Sequence, residues 1–334
     1  MIKEKHIDTL TNNAQLIVAI DMGGRTAKVA IADTGGWIYK IFVIPTKKGD
    51  DAIPFFALEI KKELENLGIN YETQVQAIGF GCVGPLDIDN EISVNAGKIG
   101  WYNYPAAKVA RECFKKPVYL INDARAIAVG EWKQGAGKGY KNFIIFSIGT
   151  GVGGGIIINN RLYGGAHNLA NEFGHGGMLQ SKYRCNCGLE GCLEGLSSAT
   201  GIEKYFQDYI KENPNSTLAK RQKELNKIIE IKDIADLLIY KDHDATIAMS
   251  EALKPLCQAI SMQIFAFDPE AVLIGGGPSS LGQTLLDMIN SHLQKMVWPD
   301  LLKLVDIKIC ELQNTAGIVG VMEYAIAKIK GYEI

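Results

Sequence analysis

An α/β fold arranged as two domains is predicted by three observations. The chain has 334 residues, and roughly 150 residues per domain makes that about two. Short apolar runs alternate with longer stretches of helical spacing, as strands and helices do in α/β proteins. A strand, a glycine turn and a second strand also occur twice, near residues 16–31 and 143–158, which resembles a duplicated unit.

The elements follow in order. Residues 16–20 form an apolar strand ending at Asp21, Gly23-Gly24 turns the chain, and 27–31 is a second strand. Thr34-Gly35-Gly36 is a hairpin signal before a third strand at 37–44. Residues 50–67 have helical spacing and end at Gly68, a residue suited to the left-handed position after a helix. A buried strand at 75–80 runs into Gly81-Cys82-Val83-Gly84-Pro85; a helix at 104–114 and a strand at 117–121 lead to Asn122-Asp123 and a helix at 124–132. The opening pattern returns with strands at 143–148 and 153–158 around Gly149-Thr150-Gly151. Helices are expected at 199–211, 231–240 and 245–265, a strand at 271–274, a turn at Gly275-Gly276-Gly277-Pro278, and a last helix at 316–329. The polar segment 212–222 reads as a surface loop and a helix start.

Composition removes several function classes. With 35 Lys+Arg against 37 Asp+Glu the net charge is −2, without the basic excess of a general nucleic-acid binder. No run reaches 18 apolar residues, and the N-terminus lacks a secretory apolar core, so a cytoplasmic protein without a membrane partner is expected. There are 36 glycines, about 11% where about 7% is usual, and seven cysteines. In a reducing compartment, clustered cysteines point to metal or catalysis. Cys185, Cys187 and Cys192 are clustered; Cys82, Cys113, Cys257 and Cys310 are scattered and read as core.

Glycine turns after strands expose backbone N–H groups that a phosphate can approach. The segment from Gly149 to Gly155 carries a hydroxyl, Thr150, among its glycines, and Asp21 adds a carboxylate suited to Mg²⁺ before Gly23-Gly24. Neither segment matches a P-loop or a dinucleotide fingerprint. Tight hairpins account for either turn alone; with both present, and Gly275–Gly277 besides, nucleotide phosphate binding is the better account. Asn122-Asp123 ends a buried strand, where α/β proteins place ligands and where a carboxylate can take a proton from a hydroxyl. On local sequence alone, capping of the next helix explains that pair more simply.

Glu172-Phe173-Gly174-His175 precedes Cys185-Asn186-Cys187-Gly188-Leu189-Glu190-Gly191-Cys192-Leu193-Glu194. Three thiolates and an imidazole make a tetrahedral Zn²⁺ set of the closed, structural kind. Core cysteines are the alternative, but glycines and polar residues interleave these three. A metal there would fix Glu172 and Glu194, whose carboxylates suit sugar hydroxyls.

On these motifs the sequence resembles the ROK family of sugar kinases and related repressors, within the actin-like ATPase superfamily of ribonuclease H-like fold. The resemblance runs from about Leu16 to the last helix. It implies a smaller N-terminal α/β domain over 1–122, joined by a C-terminal helix at about 316–334, and a larger domain over 123–315 with the zinc loop. ATP, Mg²⁺ and a hexose or N-acetylhexosamine would bind in a cleft. Position by position, Asp123 would be the base for the 6-hydroxyl, and Asn122, Glu172, His175 and Glu194 would hold other hydroxyls, with Gly84 and Asn95 lining the pocket. His175 would also bind zinc with Cys185, Cys187 and Cys192. Asp21 would act through Mg²⁺, Gly23, Gly24, Arg25, Thr26, Thr150 and Gly151 would surround the phosphates, and Gly275, Gly276 and Gly277 would lie near adenosine. A homodimer or larger homo-oligomer is usual in the family.

The sequence departs from the family pattern at Arg25, where threonine is usual, at Arg125, where asparagine is, and at Asn171, where glycine is. A sugar-sensing member without catalysis is the second reading, and Arg25 is the residue that separates the two. The repressor branch needs a helix-turn-helix ahead of the sugar domain; the roughly 15 residues before the first strand are too few, so no nucleic-acid partner is expected.

Overall fold

The computed structural model describes residues 2–87, 91–176, 183–185 and 187–334. By backbone proximity the chain falls into two compact units. One comprises 1–141, 155–171 and 311–334, the other 142–154 and 172–310.

The first unit is built on a five-stranded sheet. Its strands are β1 (Leu16–Met22), β2 (Thr26–Asp33), β3 (Ile38–Pro45), β4 (Val75–Cys82) and, after a small hairpin sheet, β8 (Val118–Asn122), in the order β3-β2-β1-β4-β8. The hairpin sheet comprises β5 (Leu86–Asp87), β6 (Ile92–Ala96) and β7 (Trp101–Tyr104). β1 pairs antiparallel with β2 and parallel with β4, and helices cover both its faces, which is why it reads as a continuous apolar run. The period of two divides it. Leu16, Val18 and Ile20 join Phe56, Phe80 and Phe114 in one cluster. Ile17 and Ala19 join Val321 and Ala325 in the other.

The first cluster is supplied by α1 (Ala52–Asn66) and, beyond the short α2 (Tyr71–Gln74), by α3 (Ala106–Phe114). α1 ends as expected: Gly68 is left-handed, its N–H meets Glu65 O, and the Ile69 N–H meets Leu64 O. The opposite face is covered by α4 (Asp123–Gln134) and by the last helix, whose range is Ala316–Ile329. Helix α4, expected to open the larger domain, groups with the first unit because these two helices cross at backbone contact. A Cβ on Gly130 would collide with Ala316 O, and one on Gly320 with Ala126 O. The buried Glu131 carboxylate adds a link, accepting N–H groups from Ala136 (2.8 Å), Glu311 (3.1 Å) and Leu312 (2.8 Å). Burial pushes its pKa up against the lowering effect of those donors.

The second sheet contains β9 (Phe143–Ile148), β10 (Val152–Ile158), β11 (Arg161–Leu162), β12 (Ala271–Gly276) and β13 (Asp306–Ile309), in the order β11-β10-β9-β12-β13. The helices of the second unit are α5 (Leu193–Ser197), α6 (Ala199–Glu212), α7 (Thr217–Leu225), α8 (Ala235–Ile239), α9 (His243–Phe267), α10 (Gln283–Met296) and α11 (Pro299–Leu302). The chain closes with α12, the last helix named above. The architecture is mixed α/β with two five-stranded sheets, as expected. Sequence reading did not find the β6–β7 hairpin, α10 or β13, and it ended β12 two residues early.

Candidate functional site

In the first unit Asp21 lies near the C-terminal end of the central strand β1, and residues 23–25 turn the chain into β2. The Gly23 N–H donates to Thr26 O (3.0 Å), and Thr46 braces the turn by donating Oγ1 to Gly23 O (2.9 Å) and N–H to Arg25 O (2.9 Å). The Arg25 and Thr26 side chains are exposed. Burial raises the Asp21 pKa, and the neighbouring Lys28, its partner across the β1–β2 ladder, pulls it down. The Asp21 carboxylate lies where a Gly317 Cβ would otherwise sit, against the first turn of α12. That end of the helix dipole favours a negative charge.

Four residues expected around a sugar meet in this unit. Asn122 caps α4 by accepting the Arg125 N–H (3.0 Å), so the capping account is correct for it. Its amide has a second use, donating to Gly84 O (3.0 Å) and to Asp123 Oδ1 (3.1 Å). Asp123 Oδ1 also accepts the Ala124 N–H (2.9 Å), so two donors set the plane of the carboxylate. Gly84 has φ +79°, and a Cβ on it would collide with the carbonyl of Asn95. Cys82 stands opposite Asn122 in the β4–β8 ladder; burial drives its thiol pKa well up, with the Asp123 charge adding to the effect.

Arg125 has a role that sequence reading missed. Its buried guanidinium donates to the carbonyls of Asn168 (2.7 Å), Ala170 (2.9 Å) and Gly164 (3.4 Å), pinning that segment to α4. Asn171 then takes φ +76°, a conformation that asparagine tolerates and that the family's glycine favours. Nothing in the local spelling of 164–170 announces an arginine clamp.

In the second unit the turn after β9 closes with the Gly149 N–H on Gly151 O (2.9 Å). Gly276 pairs with Ile148 in the β9–β12 ladder, which brings the late glycine turn beside this one. Glu194 lies under the same turn: Oε2 accepts the Val152 N–H (3.3 Å) and fills the space where a Gly151 Cβ would sit. A residue expected to hold sugar therefore also buttresses a turn expected to hold phosphate. The Thr200 hydroxyl closes the turn's far side on Thr150 O (3.3 Å).

Glu194 is placed in turn by the cysteine loop. Its N–H donates to Gly174 O (2.9 Å), while Phe173 stacks on Phe146 of β9 with centroids 4.8 Å apart. One donor atom each from His175, Cys185, Cys187 and Cys192 lies within 4.8 Å of the others. His175 Nδ1 is 3.7 Å from Cys185 Sγ, and Cys187 Sγ is 3.6 Å from Cys192 Sγ. A tetrahedron with Zn–S bonds of about 2.3 Å has edges of about 3.8 Å, so the cluster fits a structural zinc. Cys185 Sγ also lies 3.7 Å from Glu194 Oε1. Asn186, within the motif, falls outside the described residues. Glu172 is exposed, and its carbonyl accepts the His175 N–H (3.0 Å). Among the described residues no helix is long and apolar enough to cross a membrane.

The family model for ROK proteins matches residues 17–328. The chain belongs to the ROK family. Among curated ROK relatives it is 34% identical over 307 residues to the glucokinase of Halalkalibacterium halodurans, covering 91% of this chain and 92% of that one. Among solved ROK structures it is similar to a glucokinase from Streptomyces griseus in complex with glucose and AMPPNP, with a TM-score of 0.78 and 27% identity over 92% of this chain and 98% of that one. A ROK transcriptional regulator, a homologue of the E. coli MLC protein, shares the fold at a TM-score of 0.82 and 23% identity, covering 94% of this chain and 79% of that one.

Proposed function

We propose that the protein is an ATP-dependent sugar kinase that phosphorylates a hexose or N-acetylhexosamine at its 6-hydroxyl, with Asp123 as general base. The observation that carries this reading is the setting of Asp123. It stands at the first residue of a helix with its carboxylate plane fixed by Asn122 and the Ala124 N–H. A base held in one orientation takes the hydroxyl proton as the sugar oxygen bonds to the γ-phosphorus. The glucokinase relative supports the same reaction class.

Phosphoryl transfer needs positioning and neutralisation of charge more than covalent help from the protein. In this reading Asn122, Gly84, Asn95, Glu172, His175 and Glu194 hold the sugar. Asp21 holds Mg²⁺, Gly23, Gly24, Arg25, Thr26, Thr150 and Gly151 hold phosphate, and Gly275–Gly277 meet adenosine. Zinc on His175, Cys185, Cys187 and Cys192 supplies rigidity rather than chemistry, keeping Glu194 under the Gly151 turn. The enzyme would work in the cytoplasm as a homodimer or larger homo-oligomer.

The test is an ADP-coupled assay across hexoses, amino sugars and N-acetylated sugars. Turnover on at least one is expected, and none on the whole panel sinks the reading. Arg25, exposed in the first glycine turn, supports the alternative of a sugar sensor. Sugar binding by calorimetry without detectable ATP binding would establish that alternative.

A further inference from the structure

We propose that Lys98, together with Arg25, binds the phosphoryl group as it passes from donor to sugar, a role that rests on the kinase reading above. Lys98 sits in the tight turn between β6 and β7. The Ile99 and Gly100 N–H groups both donate to Ala96 O (2.8 and 3.1 Å). Ile99 is fully buried, and the Trp101 indole, buried as well, donates to Gly49 O (2.9 Å) while the Gly49 N–H returns to Ile99 O (2.7 Å). Trp101 also stacks on Tyr104 at 4.4 Å. The turn is thereby fixed, and it presents Lys98 from a rigid base.

From there the lysine stem runs along Gly24. Its Cβ and Cδ are each 3.8 Å from the point a Gly24 Cβ would occupy, so the stem lies against the glycine turn at contact distance. Arg25 is the next residue of the same turn. Both cations are exposed, and neither has a hydrogen-bond or ion-pair partner among the described residues. The nearest acids in sequence to the turn's anchor, Asp50 and Asp51, form no ion pair with either. Two unpaired cations, one on a glycine turn and one whose stem lies against it, are a site for an anion.

The other end of the same loop identifies which anion. Asn95, three residues before Lys98, abuts Gly84, whose carbonyl accepts from Asn122 beside Asp123. One short loop thus links the base to the glycine turn, the path the phosphoryl group travels. In the transfer the sugar oxygen bonds to the γ-phosphorus and its proton goes to Asp123. The bridging P–O bond breaks, and its electrons remain on the ADP oxygen. Charge on the three equatorial oxygens is met by Lys98 and Arg25, two charged donors where the family pattern places a threonine hydroxyl in the turn.

The experiment compares wild type, Lys98→Ala, Lys98→Arg and Arg25→Ala by calorimetry with ATP and with ADP, and by steady-state turnover of the best sugar. Lys98→Ala is expected to weaken ATP about 10-fold or more while ADP stays within about twofold, and to lower kcat about 10- to 100-fold at unchanged sugar KM. Lys98→Arg restores most of both, which a spacer role would not require. Unchanged ATP affinity and kcat in Lys98→Ala, or equal losses for ATP and ADP, overturns the assignment. If the wild type binds ATP but phosphorylates no sugar, the kinase reading fails, and the ATP–ADP contrast still decides Lys98. A wild type that binds no ATP removes both.

Discussion

Asn122 shows how one side chain can hold a helix start and a neighbouring carboxylate together. Asn122 spends its oxygen on the α4 cap and its amide on Gly84 and Asp123. Asp123→Asn is expected to keep sugar affinity within a few-fold and lower kcat by about 10²- to 10⁴-fold. Unchanged turnover in that variant, measured beside sugar binding by calorimetry, would falsify the base assignment. The cap is legible in the dipeptide, because a strand end and a helix start are both written around it. The link from Glu194 to Gly151 is not, since 43 residues and the cysteine loop separate the two positions. Arg125 is equally silent, because its partners are backbone carbonyls, which any residue supplies.

At the scale of elements, what could be read is what burial writes into spacing. β1 and β9 are apolar runs because they are interior strands buried on both faces, and the bounds of α12, Ala316–Ile329, coincide with the expected helix. Helix α10 escaped because it starts after Gly282, with φ +55° and no side-chain cap, so the usual start signal is absent. The hairpin from β6 to β7 escaped because its strands are short and part-exposed. The crossing of α4 and α12 tolerates no added carbon. Gly320→Ala is expected to cost about 2 kcal/mol or more, read as a fall in Tm. A Tm within 1 °C of wild type, roughly the effect of a few tenths of a kcal/mol, would mean that the helices part easily. The cysteine loop was legible because Cys185, Cys187 and Cys192 stand within eight residues, with His175 ten residues before them. Elemental analysis is expected to give about one zinc per chain. Chelation or Cys187→Ser should lower Tm and, through Glu194, weaken sugar binding. Full activity in zinc-free protein would refute the role.

For the whole molecule, the division into units departs from the order of the chain. The first unit collects residues 1–141, 155–171 and 311–334, whereas 142–154 and 172–310 make the second. α12 therefore completes a sheet whose first strand was made some 300 residues earlier, a long-range closure that is slow by its topology. A chain cut before residue 316 is expected to be recovered in the insoluble fraction, because Ile17, Ala19, Ile121 and Val129 lose the helix that covers them. Recovery of soluble, cooperatively melting truncated protein would contradict this.

The same closure sets an order of events during synthesis. While the ribosome is still reading the second unit, whose main segment is one stretch of chain, the first sheet waits with one greasy face covered by α4 alone. The rest of its cover arrives only when residues 316–329 have been made. A chain interrupted before residue 316 carries both glycine turns, Asp123 and the cysteine loop, yet holdase chaperones and proteases meet it as unfinished. α12 thus decides whether that face is closed at all.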